Sequence, residues 1–275
     1  MGAALALLSS ALWGGSDFLG GLATRRASAL LVVLVSQLAA LVGLAVVVPL
    51  TGAAVPSRAL VLGAAAGVAG AVALGCFYRA LASGVMGVVS PVAATGAVVP
   101  LAVGLARGDV PSPVQLAGVG AAVVGVVLAA RTPSTGRAAS RTPVLLALVA
   151  AAGFGTTLVL IGDGGRTSVA GVLLGARATS VALLALVAVV HRSGTWPRGA
   201  GLGLVVLTGV GDVSANALYA VAASHGLLSL VAVLGSLYPV VTVLLARQVL
   251  QERLRRSQLG GISTALLGVV LIAAG

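Results

Sequence analysis

The stretch ALWGGSDFLGG, residues 11–21, sets an aspartate, Asp17, inside a run that is otherwise apolar, small or aromatic. Only five acidic residues occur in the 275-residue chain. If the run crosses a membrane as a helix, an ionised carboxylate there is costly and needs a role or a partner. The sequence around it decides whether it crosses.

Similar apolar runs recur along the chain. It is 59% hydrophobic and 8% charged, with a mean hydropathy of +1.18, and so few charges cannot clothe a water-soluble exterior. Runs of about 20 residues span a hydrocarbon layer of roughly 30 Å as helix. Strands of a membrane barrel would instead alternate polar and apolar over about 10 residues. The reading is therefore an all-α polytopic membrane protein. Residues 2–22 are too long for the apolar part of a signal peptide and no basic residue precedes them, so they read as the first membrane helix. Breaks at polar, Pro and Gly clusters give ten transmembrane helices: 2–22, 29–50, 59–79, 84–105, 112–130, 143–162, 168–190, 200–220, 227–246 and 258–274. The longest connection, RTPSTGRAASRTP (residues 131–143), divides them five and five.

The formal net charge of +11 does not imply a nucleic-acid partner. There is no lysine, and the sixteen arginines lie singly or in small groups between apolar runs, as topology-setting charges do. Arg25, Arg26, Arg79, Arg131, Arg137, Arg141, Arg192, Arg198, Arg247, Arg253, Arg255 and Arg256 fall in the odd-numbered connections. Only Arg58, Arg107 and Arg166 fall in the even ones, while Arg177 lies inside the seventh segment. The positive-inside rule puts the odd connections in the cytoplasm and both termini on the outer face. The expected location is a prokaryotic plasma membrane, with the chain a monomer or homodimer.

The second half echoes the first at a spacing near 141. Trp13-Gly14 answers Phe154-Gly155, Ser16 answers Thr157, Arg25 answers Arg166, and Tyr78 answers Tyr219. Pro100 answers Pro239 after a small gap, and VQLAGVG (114–120) answers SQLGGIS (257–263). Two repeats, 1–136 and 137–275, follow. Five helices is an odd number, so the second repeat is inverted relative to the first, an arrangement typical of secondary transporters with a midplane site between the halves.

Several of these stretches resemble the EamA-type members of the drug/metabolite transporter superfamily. They are ALWGGSDFLGGLATRR (11–26), ALASGVMGVVSPVAATGAVVPLAVGLARGD (80–109), LGSLYPVVTVLL (234–245) and QERLRRSQLGGISTALLGVVLI (251–272). The resemblance covers essentially the whole chain in two copies. It implies ten helices in two inverted five-helix repeats around a central cavity, and a substrate among amino acids, other metabolites or drug-like compounds, commonly exported. Small four-helix relatives carry a proton-coupling acid in their first helix. Arg177 is similar to the arginine often found early in the second helix of a repeat, where the first half has Ser36 or Gln37. Asp109 lacks the arginine that follows Glu252 in the second half.

The polar residues within the spans give the candidate site. At 100° per residue, Ser9, Trp13, Asp17 and Gly20 share one face of the first helix, which fits a cavity lining. The alternative is that Asp17 pairs with Arg25 or Arg26, although Arg25 lies about 12 Å away along the helix. In the eighth helix, Gly209, Asp212, Asn216 and Tyr219 share a face. Burying a charged Asp212 mid-helix costs on the order of 3 kcal/mol, so it is protonated, wetted or paired, with Arg177 the partner in reach. Tyr78 and Tyr219 hold matched positions and offer hydroxyls to a solute, or else sit in an interfacial belt. Trp196 reads as an interfacial anchor. His191 and His225 read as loop residues, as do Asp109, Asp163 and Glu252. Pro91, Pro100 and Pro239 remove backbone hydrogen bonds and read as kinks, hence as candidate hinges.

The function expected is a secondary transporter exporting a small organic solute by alternating access, with proton exchange at Asp17 or Asp212. The alternatives are an intramembrane enzyme and a channel-like facilitator. No catalytic residues, metal site or cofactor is expected. Cys76 is the sole cysteine, there is no His-Glu-x-x-His, and no phosphate-cradling Gly-x-x-x-x-Gly-Lys occurs.

Overall fold

The computed structural model describes residues 2–106, 112–130, 141–191, 196–225, 237–251 and 256–274. Among them only helices and their connections occur. The helices are α1 (Gly2–Ala23), α2 (Ala29–Thr51), α3 (Ser57–Ser83), α4 (Met86–Ala94), α5 (Val98–Ala106), α6 (Pro113–Ala130), α7 (Thr142–Gly165), α8 (Val169–His191), α9 (Ala200–His225), α10 (Tyr238–Val249) and α11 (Arg256–Ala274). Most of the 131–143 connection lies outside the described residues, as do Asp109, Glu252 and the first ten residues of the ninth expected segment.

Local chemistry sets the ends. Ser28 caps α2 by accepting from the Leu31 amide at 3.3 Å, and Gly52 closes that helix at φ 63, a left-handed position that suits glycine. Before α6, the Ser112 hydroxyl accepts from the Gln115 amide at 3.1 Å. The Gln115 side chain accepts from the Ser112 amide at 3.0 Å, completing a capping box. Helix α3 continues past the expected end at 79. Ser83 satisfies its hydroxyl on the Arg79 carbonyl at 2.8 Å without leaving the helix.

The fourth expected segment is not one helix. A 3-10 turn, Thr95–Ala97, separates α4 from α5. Pro100 has no N–H for the Gly96 carbonyl four residues earlier, and the Thr95 hydroxyl bonds the Val92 carbonyl at 2.7 Å. Pro91 lies inside α4, so the break belongs to the Pro100 end. Its matched proline does something different: Pro239 occupies the first turn of α10, where its missing N–H costs nothing.

Among the described residues, five helical stretches are long and apolar enough to cross a membrane: Ala29–Thr51, Ser57–Ser83, Thr142–Gly165, Val169–Val190 and Gly201–Tyr219. Helix α1 is of comparable length but is diluted by Ser9, Ser10, Trp13, Ser16 and Asp17. Large apolar side chains point outward, with Leu50 81% and Val189 75% exposed. The interior, by contrast, holds polar groups such as Gln37 and Arg177. That inside-out distribution fits lipid as the surrounding solvent.

Small residues let the helices close. Helix α3 packs on α7 and α8, α1 on α9 and α10, α2 on α8 and α9, and α6 on α11. Glycines mark matched contacts. Gly67 seats on the Ala176 carbonyl and Gly209 on the Ser36 carbonyl; Gly125 seats on the Ala265 amide and Gly268 on the Ala122 amide. In each case an added Cβ would strike backbone, which cannot swing away as a side-chain end could. Gly125→Val is therefore expected to lower stability by about 2 kcal/mol through forced separation of α6 and α11. Gly120→Ala on the same helix, where a Cβ meets nothing within 4 Å, should leave the detergent unfolding transition unchanged.

Candidate functional site

Helix α1 brings its polar face against α9 and α10. Ser9 is fully buried and its hydroxyl donates to the Ala215 carbonyl at 2.7 Å. It thus ties α1 to α9, which covers this end of the polar face. One turn on, Trp13 contacts Tyr219 with ring centroids 5.5 Å apart at 43°. It meets Tyr238 of α10 edge-on at 6.4 Å and 70°. The Gly14 carbonyl accepts from the Thr242 hydroxyl at 3.1 Å, and bare Gly14 lets α10 approach this closely.

Asp17 follows Trp13 by four residues, on the same face. It forms no ion pair with Arg25 or Arg26, nor any hydrogen bond with a described residue. Electrostatically it feels Asp212, Tyr78 and Tyr238. Trp13, Asp17, Asn216, Tyr219 and Tyr238 are each only partly buried. They differ in this from the packed core at Phe77 and Leu81.

Asp212 is paired. Its Oδ2 lies 2.7 Å from Arg177 Nη2, and Asn216 Nδ2 donates to its Oδ1 at 3.3 Å and to its backbone carbonyl at 2.7 Å. Arg177 Nη1 donates to Gln37 Oε1 at 2.6 Å. Arg177 Nε is buried without a partner. The ion pair expected from the sequence thus forms, and it is held at both ends by amides. Gln37 was not among the expected site residues. It is the lone amide in α2 and stands 140 residues before Arg177, near the repeat spacing, which is the signal that marks it. Tyr238 was also missed; it adjoins Pro239, itself matched to Pro100.

Tyr78 is 3% exposed, with its hydroxyl end against Gly20 of α1 and its ring 5.9 Å from Phe77. It is packed against α1, whereas matched Tyr219 is only partly buried. Trp196 is 56% exposed, and His191 and His225 end α8 and α9. A separate groove of about 550 Å³, lined by Ser57, Arg58, Val61, Leu62, Asp163 and Arg166, opens at the start of α3. That is roughly 30 Å from Tyr78 at 1.5 Å per residue, so it is not part of this site.

Residues 141–274 match the sequence model of the EamA-like transporter family. No curated protein matches the chain. A solved structure titled only as the crystal structure of a protein superposes with a TM-score of 0.69. It is 19% identical, over 98% of this chain and 95% of that one, a likeness of fold alone.

Proposed function

We propose, from the match of residues 141–274 to the EamA-like transporter family, a secondary transporter that moves a small organic solute by alternating access. It has ten membrane spans as two inverted five-helix repeats, 1–136 and 137–275, with both termini on the outer face of a prokaryotic plasma membrane. The solute binds beside Trp13, Asp17, Asn216 and Tyr219, and proton exchange at Asp17 drives export. The Arg177–Asp212 pair frames the site, and the helix break before Pro100 and the start of α10 at Pro239 serve as hinges, with Pro91 inside α4.

The observation that carries this reading is the exchange of contacts between halves. Gly67 on Ala176 corresponds to Gly209 on Ser36, and Gly125 on Ala265 to Gly268 on Ala122. Each pair converts into the other by a shift of 140–143 residues, up in one partner and down in the other. Gly14 against α10 and Gly155 against the Gly96 turn add a third correspondence. Such a two-fold relation is what inverted repeats require, and it lets one half rock against the other around a fixed site. Asp17 rather than Asp212 is assigned the proton because Arg177 already compensates Asp212.

The test is solute flux in proteoliposomes under an imposed pH gradient. Movement of chemically unaltered solute that collapses with the gradient is expected. Conversion of the solute would indicate an enzyme, and gradient-independent flux at channel rates a facilitator; either defeats the reading. A C-terminal reporter active only in the cytoplasm would defeat the orientation.

A further inference from the structure

Charge and ring geometry at the site narrow the solute class. We propose that the transported solute is an organic monocation, an amine or quaternary ammonium with an apolar body and no carboxylate; this rests on the transporter reading. Two acidic side chains and one basic one lie on the helices of this site: Asp17 on α1, Asp212 on α9 and Arg177 on α8. Arg177 is committed, with Nη2 on Asp212 at 2.7 Å and Nη1 on Gln37 at 2.6 Å. Its Nε has essentially no accessible surface. Asn216 holds Asp212 from the other side, so the guanidinium cannot turn to a ligand without breaking bonds to two helices. Asp17 has no such partner among the described residues. With both acids ionised, two carboxylates and one guanidinium leave one unbalanced negative charge, at Asp17.

The rings sharpen the choice. Trp13, Tyr219 and Tyr238 form adjoining walls, tilted and edge-on, one helical turn from Asp17. Aromatic faces beside a carboxylate attract a cation within about 6 Å of a ring centroid. A centroid spacing of 5.5 Å leaves no room for a cation between Trp13 and Tyr219, so it would sit before the walls, toward Asp17. A zwitterionic amino acid would bring a carboxylate for which the described residues of the site offer no free cation, next to Asp17.

Fluorescence of Trp13 reads the site directly. The chain has two tryptophans, so Trp196→Phe leaves Trp13 alone. Benzyltrimethylammonium, phenethylamine and phenylalanine are titrated onto the purified protein; the last two differ only by the carboxylate. Both cations should quench Trp13 saturably, at concentrations at least tenfold below phenylalanine. Asp17→Asn should weaken cation binding at least tenfold, and Asp17→Glu should retain it. Phenylalanine binding as tightly as phenethylamine, or Asp17→Asn binding unchanged, overturns the assignment. Flux measured on the same preparation separates the two ideas. Amino-acid flux without cation binding defeats the cation site alone; cation binding without flux defeats the transporter reading alone.

Discussion

Asp17→Asn is expected to abolish pH-gradient-driven flux, by at least about 100-fold, while the protein becomes more stable. An amide keeps the shape of the side chain but cannot take up or release a proton. Asp17 has no ion pair to lose among the described residues, and an uncompensated carboxylate among helices carries a desolvation cost of a few kcal/mol. Removing that charge should raise the unfolding midpoint, with a gain of about 1 kcal/mol or more. Loss of function with a gain in stability is the pattern of a group kept for its chemistry. A purely structural acid would give the opposite pair of signs, lower stability with flux retained in the folded fraction. Detergent unfolding and proteoliposome flux on one preparation distinguish them.

Arg177→Met should act in the other direction, lowering stability by about 3 kcal/mol. Removing one partner of a buried pair leaves the other charge uncompensated. The side chains of Arg177 and Asp212 are only 10% and 23% exposed, and Gln37 would lose its donor as well. Combining Arg177→Met with Asp212→Leu should recover most of the loss, because well-packed apolar residues replace a buried pair at little cost. The double variant still holds one unpaired carboxylate, Asp17, so flux should return with stability. An Arg177→Met protein as stable as the parent would remove the pair from the account. A stable double variant without flux would show that Asp212 itself handles the solute or proton.

Much of this was legible in the sequence because membrane helices are governed by length and polarity. The expected span at 29–50 runs Ala29–Thr51 in the structure, and that at 168–190 runs Val169–His191. The Arg177–Asp212 pair was legible for the same reason, since two opposite charges in apolar helices have few other partners. Ser9 was legible only in part. Helical periodicity gives its direction but not how near α9 comes, and that nearness sets its interhelical bond. The break at Thr95–Ala97 was missed because a Thr-Gly-Ala turn is as apolar as the helix around it. Gln37 and Tyr238 became site residues only through partners 140 and 225 positions away along the chain. Periodicity within one helix carries no such information.

Access to the site from both sides of the membrane is the claim on which the rest depends. Asn216→Cys, in a chain whose only native thiol is removed by Cys76→Ala, places a thiol beside Asp212 for an impermeant reagent. In oriented proteoliposomes it should react from either face, and a pH gradient that favours one face should slow reaction from the other. Reaction from one face alone under every gradient, or equal rates from both that no gradient alters, would contradict alternating access.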